Sequence, residues 1–558
     1  MNRAFIIVLA IALVLIGLFV PAPDLIRFLR GDAATTSDNL AMGAKLFKIG
    51  LIVIGSYAVA LGFLPRQSER RARVALAEAS PIETLAFAGL ILLATALRLY
   101  SLDVGIWYDE MLTHVRYMPL TVGQIVSTFD DANNHILFSV LARISLFVFG
   151  DSVWAFRLPA ALFGIGSIIA LYYLARRVTS VRESLFCAAL LTLSFHHIWF
   201  SQNARGYTAL LFFSILSSSW LIDAIRQNRR GRWVLYAVAA ALGAFTHLTM
   251  GFVVIAHFVI YLGALAGQRL EGKGSAWDGL LFGFIPVGLL TIQLHALILP
   301  SMVGGSLLNS GLQGAESEWT NPIWALMELA NGLQVGFSNI GVGLVAVAIF
   351  TAGLLDLARK QPAIVALFLV PTVLGLLVMT SIGYTLFPRF FFFAMGFGVI
   401  IVMHGAALTG RFLGRMFGLA ENGREWVSAS LCVAIVAVSV LSLRYVYAPK
   451  QAYEAAIARI ESDMRPGDVV VTVGIADFPF NGYYHKGWEN VLTVDDLDAI
   501  RARTDRTWLV YTMPVQANSA YPELLAAFEA DYTPVDKFFG TLNGGEIVVG
   551  VEKTAAGS

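Results

Sequence analysis

The sequence predicts a polytopic α-helical membrane protein, with helices lying along one membrane face and a small α/β domain at the C-terminal end. Of its 558 residues, 57% are hydrophobic and 14% are charged, against about 25% charged in an ordinary soluble domain. The apolar residues recur in runs of about 20, the length that crosses a hydrocarbon core. The segment after Tyr445 turns polar, and helical and strand patterns alternate in it. A net charge of +1 gives no footing for nucleic acid. Cys187 and Cys432 both lie in apolar runs with no metal-ligand spacing between them, which argues against a disulfide framework.

The first run, Phe5 to Val20, follows Arg3 and has the outline of a signal peptide. Pro21-Ala22-Pro23 is a poor small-residue cleavage site, so the run is expected to stay as a span. About 13 crossings are expected, over 5–21, 45–64, 84–101, 153–176, 184–200, 207–225, 232–248, 250–267, 278–299, 336–357, 363–382, 389–409 and 427–445.

Short loops on one side carry Arg66, Arg70, Arg71 and Arg73, then Arg176, Arg177 and Arg182, then Arg226, Arg229, Arg230 and Arg232, and later Arg359, Lys360, Arg411 and Arg415. That side holds about 19 Lys and Arg against about 5 opposite, which makes it cytoplasmic. The N-terminus is then inside, and the tail is outside. Ile136 to Phe149 is too short to cross and contains Arg143. It is expected to lie along the outer face, inside one long outer loop over 102–152.

Three units follow: 1–83 with two extra spans and a basic loop, 84–447 as the helical core, and 448–558 as an extracytoplasmic α/β domain. In the last, Gln451–Met464 reads as a helix, and Asp468–Val473, Thr507–Thr512 and Glu546–Val551 read as strands.

The chemistry-bearing stretch is Trp107-Tyr108-Asp109-Glu110, two adjacent acids just past an apolar helix. Ionised groups beside hydrocarbon are costly and tend to mark function. Arg98, Arg157, His196, His197, His247, His295, Arg389 and Arg444 sit toward the same outer ends of the spans, with Arg98 and Arg444 expected to snorkel to the headgroups. An outward-opening cavity is expected there. A carboxylate can deprotonate a hydroxyl, and arginine forks bind phosphate and offset charge on a phosphate leaving group. Together they suit transfer of a group from a lipid phosphate to a hydroxyl.

Trp107–Glu110 resembles the acidic motif in the first outer loop of the GT-C glycosyltransferases, of the protein O-mannosyltransferase and bacterial lipid A aminoarabinose transferase type. Further stretches match in order: Phe149-Gly150-Asp151-Ser152 with Phe156 to Gly164, Phe200 to Tyr207 (similar to a Ser-Gln-x-Ala-Arg-x-Tyr signature), Thr246-His247, and Pro388-Arg389-Phe390. The similarity covers roughly 84–410.

The resemblance implies a GT-C core whose first outer loop carries helices along the membrane. It implies an inverting glycosyltransferase that takes sugar from a polyprenyl-phosphate donor and gives it to a hydroxyl acceptor: lipid A, an envelope glycan or a protein. The setting it implies is a bacterial inner membrane with the active site and C-terminal domain periplasmic. By resemblance Asp109 and Glu110 are the catalytic acids, and Arg157 and Arg389 hold the donor phosphate. Asp131, His135, Arg205, Tyr207 and His247 line the cavity or the acceptor side. No cofactor is required, and a divalent cation near the acidic pair is compatible with it. Asp130-Asp131-Ala132-Asn133-Asn134-His135-Ile136 departs from an acid followed by His-Pro-Pro in relatives, and Asn203 stands where several carry an acid. An oligosaccharide ligase using a lipid pyrophosphate would need similar cations. A lipid or glycan transporter is disfavoured by the lack of midplane acids and of a repeat, and a non-catalytic assembly subunit by the intact acid and arginines.

Overall fold

The structure, a computed structural model, describes residues 3–31, 37–65, 78–131, 133–267, 270, 275–306, 320–333, 340–540 and 544–553. The expected basic positions Arg66, Arg70, Arg71 and Arg73 lie outside them.

The chain begins with α1 (Arg3–Phe19), α2 (Ala22–Arg30) and α3 (Asp38–Phe63). Pro21 and Pro23 break the first two apart, and α2 turns 111° away from α1. Next come α4 (Pro81–Leu99), which opens on a Ser80–Glu83 capping box, and, within the segment 102–152, α5 (Tyr108–Tyr117), α6 (Val122–Ile125) and α7 (Ile136–Phe149). The helix expected along the membrane, Ile136 to Phe149, has those same bounds and ends at Gly150 with φ 89°.

The core continues with α8 (Val153–Ala175), α9 (Val181–Thr192), α10 (Phe195–Ser201), α11 (Tyr207–Gln227), α12 (Arg230–Thr246), α13 (Met250–Ala266) and α14 (Ile285–His295). Then follow the short turn α15 (Leu299–Ser301), α16 (Pro322–Leu333), α17 (Ile340–Lys360), α18 (Pro362–Ser381), a 3-10 turn over Pro388–Ala394, α19 (Met395–Met416) and α20 (Glu421–Leu441).

By length and composition, eight helices among the described residues suffice to cross a membrane, or up to ten if each bent pair is one span. The expected crossing over 184–200 is such a pair, α9 and α10, bent by 60°. Those over 232–248, 250–267 and 278–299 coincide with helices shorter than a full span; α12 and α13 have 17 residues each. Helices α8 and α11 are mostly buried and form the centre, while α3, α4, α17 and α20 turn apolar side chains outward on most of their surface, as a lipid-facing rim would.

Beyond α20, the chain forms α21 (Tyr453–Asp463), β1 (Asp468–Val473), β2 (Glu489–Val491), α22 (Val494–Arg501), β3 (Arg506–Thr512), α23 (Pro514–Ala520), α24 (Pro522–Asp531), β4 (Tyr532–Phe538) and β5 (Ile547–Glu552). The sheet runs β2-β1-β3-β5-β4, with β1 parallel to β2 and β3, and β5 antiparallel to β3 and β4. The three expected strands are β1, β3 and β5. Alternation gives the sheet two apolar faces. Val471, Val473, Leu509 and Val548 pack with α22 and α24 on one. Val470, Trp508, Val510 and Val549 pack with α21 on the other, where Ile106 and Met111 of the segment 102–152 join them.

Candidate active site

Adjacent positions on a helix point about 100° apart, so the two acids at the start of α5 meet different surroundings. Glu110 is fully buried. Its Oε1 accepts from Arg157 Nε at 2.8 Å and from the Ala204 N–H at 2.6 Å. Its Oε2 accepts from Arg157 Nη2 at 2.7 Å and from the Trp107 N–H at 3.0 Å, and lies 3.4 Å from Lys450 Nζ. Burial pushes this carboxyl up, but the charges of Arg157 and Lys450 and the hydrogen bonds outweigh it and hold the group down at about 2.

Arg157 is consumed by this arrangement. Besides Glu110, it donates to the carbonyls of Leu102 at 3.0 Å and Val104 at 2.9 Å, and to that of Gly105. All five N–H donors of the guanidinium are used, and its side chain is 1% exposed. In this arrangement Arg157 pins the acidic loop to α8, and none of its N–H groups is left over for a phosphate.

Asp109 points the other way, toward Arg389, with Oδ2 and Nη2 3.7 Å apart and both side chains about one fifth exposed. The Arg389 guanidinium lies against the rings of Phe387 at 4.1 Å, Trp107 at 5.2 Å and Phe390 at 5.7 Å. Its Nε has no protein partner among the described residues. An anion and a cation thus face each other across a partly open gap, without the short hydrogen bonds that close the Glu110–Arg157 pair.

The remaining expected residues surround this gap in two groups. Asn133 Nδ2 donates to the Asp109 carbonyl at 3.1 Å, and Asp131 Oδ1 accepts the Asn133 N–H at 2.9 Å. Asp131 also approaches Arg116 at 3.4 Å. Arg205 donates to the Asn133 carbonyl at 2.6 Å and to Thr113 Oγ1 at 3.1 Å. His135 Nδ1 accepts the Gly206 N–H at 2.7 Å. In the neutral ring Nε2 then carries the proton, so its 3.3 Å approach to Arg205 Nη2 is a contact of two donors. Burial and the Arg205 charge both push His135 toward that neutral form. These residues fasten the loop to the start of α11. The second group is a wall of rings: His135 lies 5.0 Å from Tyr207 and 4.8 Å from His247, and His247 lies 5.9 Å from Phe390.

Arg98 is also placed differently from the expectation of snorkelling. It is fully buried and donates to the carbonyls of Ala94, Leu191 and Thr192, with Nη2 2.6 Å from His197 Nδ1. Two residues were missed by the sequence reading. Lys450 reaches Glu110 and the Gln202 carbonyl, and Gln451 Oε1 accepts the Tyr108 N–H at 2.9 Å. A lysine and a glutamine in a linker carry no motif; only their burial reveals them.

The acidic pair does not form a joint ligand set for a divalent ion. The Glu110 oxygens are engaged by N–H donors and cations, and Asp109 faces a guanidinium. Among the described residues no group of three or more His, Cys, Asp or Glu is placed to hold a metal.

Residues 134–290 match the family model described as dolichyl-phosphate-mannose-protein mannosyltransferase. The match contains His135, Arg157, Arg205, Tyr207 and His247, and the resemblance read from the motifs holds over it; Asp109 and Arg389 fall outside. A putative mannosyltransferase, YycA of Bacillus subtilis, is 29% identical over 150 residues, which are 27% of this chain and 22% of that protein. The chain therefore spans about a fifth of the length of that curated relative. Among solved structures, ArnT from Cupriavidus metallidurans bound to undecaprenyl phosphate gives a TM-score of 0.49 at 13% identity, covering 85% of this chain and 98% of that one. The oligosaccharyltransferase AglB from Archaeoglobus fulgidus, in complex with an inhibitory peptide and a dolichol-phosphate, gives 0.47 at 10% identity, covering 81% and 73%.

Proposed function

We propose that the protein is an inverting membrane glycosyltransferase that moves a sugar from a polyprenyl-phosphate carrier to a hydroxyl acceptor on the extracytoplasmic face. The observation that carries this reading is the 3.7 Å approach of Asp109 to Arg389, beside a segment with the sequence of a mannosyltransferase family. The family's own description, a dolichyl-phosphate-linked sugar, supplies the donor class.

In the proposed reaction the acceptor hydroxyl enters beside Asp109, whose carboxylate takes its proton as the oxygen attacks the anomeric carbon. The bond from that carbon to the phosphate oxygen breaks, and the electron pair leaves with the polyprenyl phosphate. Arg389 holds the leaving phosphate, its Nη donors replacing the long contact to Asp109 with shorter ones to oxygen. Trp107, Phe387 and Phe390 exclude water from that cation and keep it directed at the gap. The ring wall of His135, Tyr207 and His247 shapes the sugar space. Glu110 and Arg157 take no part in proton transfer; they fix the helix start that carries Asp109.

Mass spectrometry of envelope lipids and glycans from cells with and without the gene tests the reading. The expected result is one sugar-bearing species lost with the gene and restored by the wild-type copy. Unchanged lipids, glycans and glycoproteins contradict it.

A further inference from the structure

The linker between the last core helix and the C-terminal domain grips the acidic turn at two consecutive points. Lys450 Nζ lies 3.4 Å from Glu110 Oε2, and it donates to the Gln202 carbonyl. Gln451 Oε1 takes the Tyr108 N–H at 2.9 Å, one of the donors that a helix start leaves without an intrahelical partner. Both linker side chains are buried. Asp109 sits between the two points they hold.

The grip continues into the α/β domain. Gln451 Nε2 donates to the Gly545 carbonyl at 3.0 Å, just before β5. Tyr108 meets Phe478 at 5.7 Å, and His114 meets Tyr483 at 5.8 Å. Ile106 and Met111 are buried in the apolar face of the sheet beside Tyr453, Phe480 and Trp508. The turn that carries Asp109 therefore belongs as much to the C-terminal domain's core as to the membrane helices.

We infer that Lys450 and Gln451 are positioning residues through which the C-terminal domain sets the direction of Asp109 toward Arg389. This rests on the proposed transfer reaction for its kinetic consequence, but the clamp has a readout of its own. Misplacing a reacting group by an ångström costs on the order of 10²-fold in rate, so loosening the clamp lowers turnover without loosening the substrates.

The test uses the full chain in lipid nanodiscs, with Lys450→Met, Lys450→Arg and Gln451→Leu. Hydrogen exchange is measured over residues 105–117, and steady-state transfer from a polyprenyl-phosphate sugar is measured alongside. Lys450→Met and Gln451→Leu are expected to raise exchange at the start of α5 and to lower kcat by about tenfold or more, with KM for donor and acceptor within about twofold. Lys450→Arg, which keeps N–H donors toward Glu110 and the Gln202 carbonyl, is expected to recover most of the kcat. If Lys450→Met does not fold, Gln451→Leu decides. Wild-type exchange over 105–117 in the folded variants overturns the clamp, as does faster exchange with wild-type kcat. A raised donor KM with unchanged kcat also overturns it and makes Lys450 a donor ligand. If the wild type transfers no sugar from any polyprenyl phosphate, the proposed function falls, and the exchange measurement alone still decides whether the linker holds the turn.

Discussion

At the end of the helical core remote from Asp109, His404 bridges two acids: its Nδ1 lies 2.9 Å from Glu183 and its Nε2 2.8 Å from Asp356. Arg411 pairs with Glu183 at 2.9 Å and with Glu425 at 2.8 Å, and Lys360 closes on Asp356 at 2.9 Å. At the other end, in the 3-10 turn that leads into α19, Arg389 and Asp109 approach only to 3.7 Å. Both ends hold charge close to hydrocarbon, where an ion must be paired to be tolerated. The remote end pairs its charges at hydrogen-bond distance; the Asp109 end leaves one anion and one cation under-used. The difference separates charge that joins helices from charge that the proposed reaction assigns to a substrate. The same contrast recurs over a single residue step, between Glu110 and Asp109.

The comparison can be broken at the tight pair first. Glu110→Ala leaves Arg157 charged and buried without its partner, and loss of one member of a buried pair costs about 3–5 kcal/mol. The expected outcome is a large drop in thermal unfolding midpoint or in folded yield, measured by fluorescence-detected unfolding in detergent. Acid probes the same pair more gently. Glu110 is depressed to about 2 from an ordinary value of 4.5, so its contribution to stability is complete above about pH 4.5 and is lost as pH falls toward 2. Unfolding midpoints measured from pH 7 to pH 3 should decline in the acid part of that range, and the slope should shrink in Glu110→Gln.

The open pair should respond in function and not in folding. Arg389→Ala is expected to weaken donor use on the order of 10²-fold while the acceptor KM stays near wild type; separate donor and acceptor titrations check this. At the remote end, His404→Ala removes two hydrogen bonds to carboxylates and should cost about 1–3 kcal/mol of stability with turnover per folded molecule unchanged. A loss of turnover there would mean that the remote network takes part in the reaction.

Much of this was readable from the residues because the signals were local. Ile136–Phe149 was too short and too charged to cross, and it is a separate helix. Asp468–Val473 is a valine-rich run just after Pro466-Gly467, and it is β1. Asp109 and Arg389 stood out as ions at the ends of apolar runs. What stayed hidden depends on long-range pairing. The spans over 184–200 and 278–299 read as continuous apolar runs, whereas the chain bends between Thr192 and Phe195 and begins the second run with a π turn at Leu280–Phe284. The role of Arg157 could not be read because three carbonyls 52–55 residues away take its donors. Lys450 could not be read because its partner lies 340 residues earlier. Strands β2 and β4 were missed because one has three residues and the other is an edge strand carrying Pro534.

The decisive measurement is sugar transfer by purified Asp109→Asn, with unfolding and polyprenyl-phosphate binding followed on the same sample. Asparagine keeps the shape of the side chain and removes its capacity to take a proton. A folded protein that still binds the lipid phosphate but has lost turnover by about 10³-fold or more is the expected result; turnover near wild type in that variant contradicts the role given to Asp109, and with it the reading of the open pair as the reacting site.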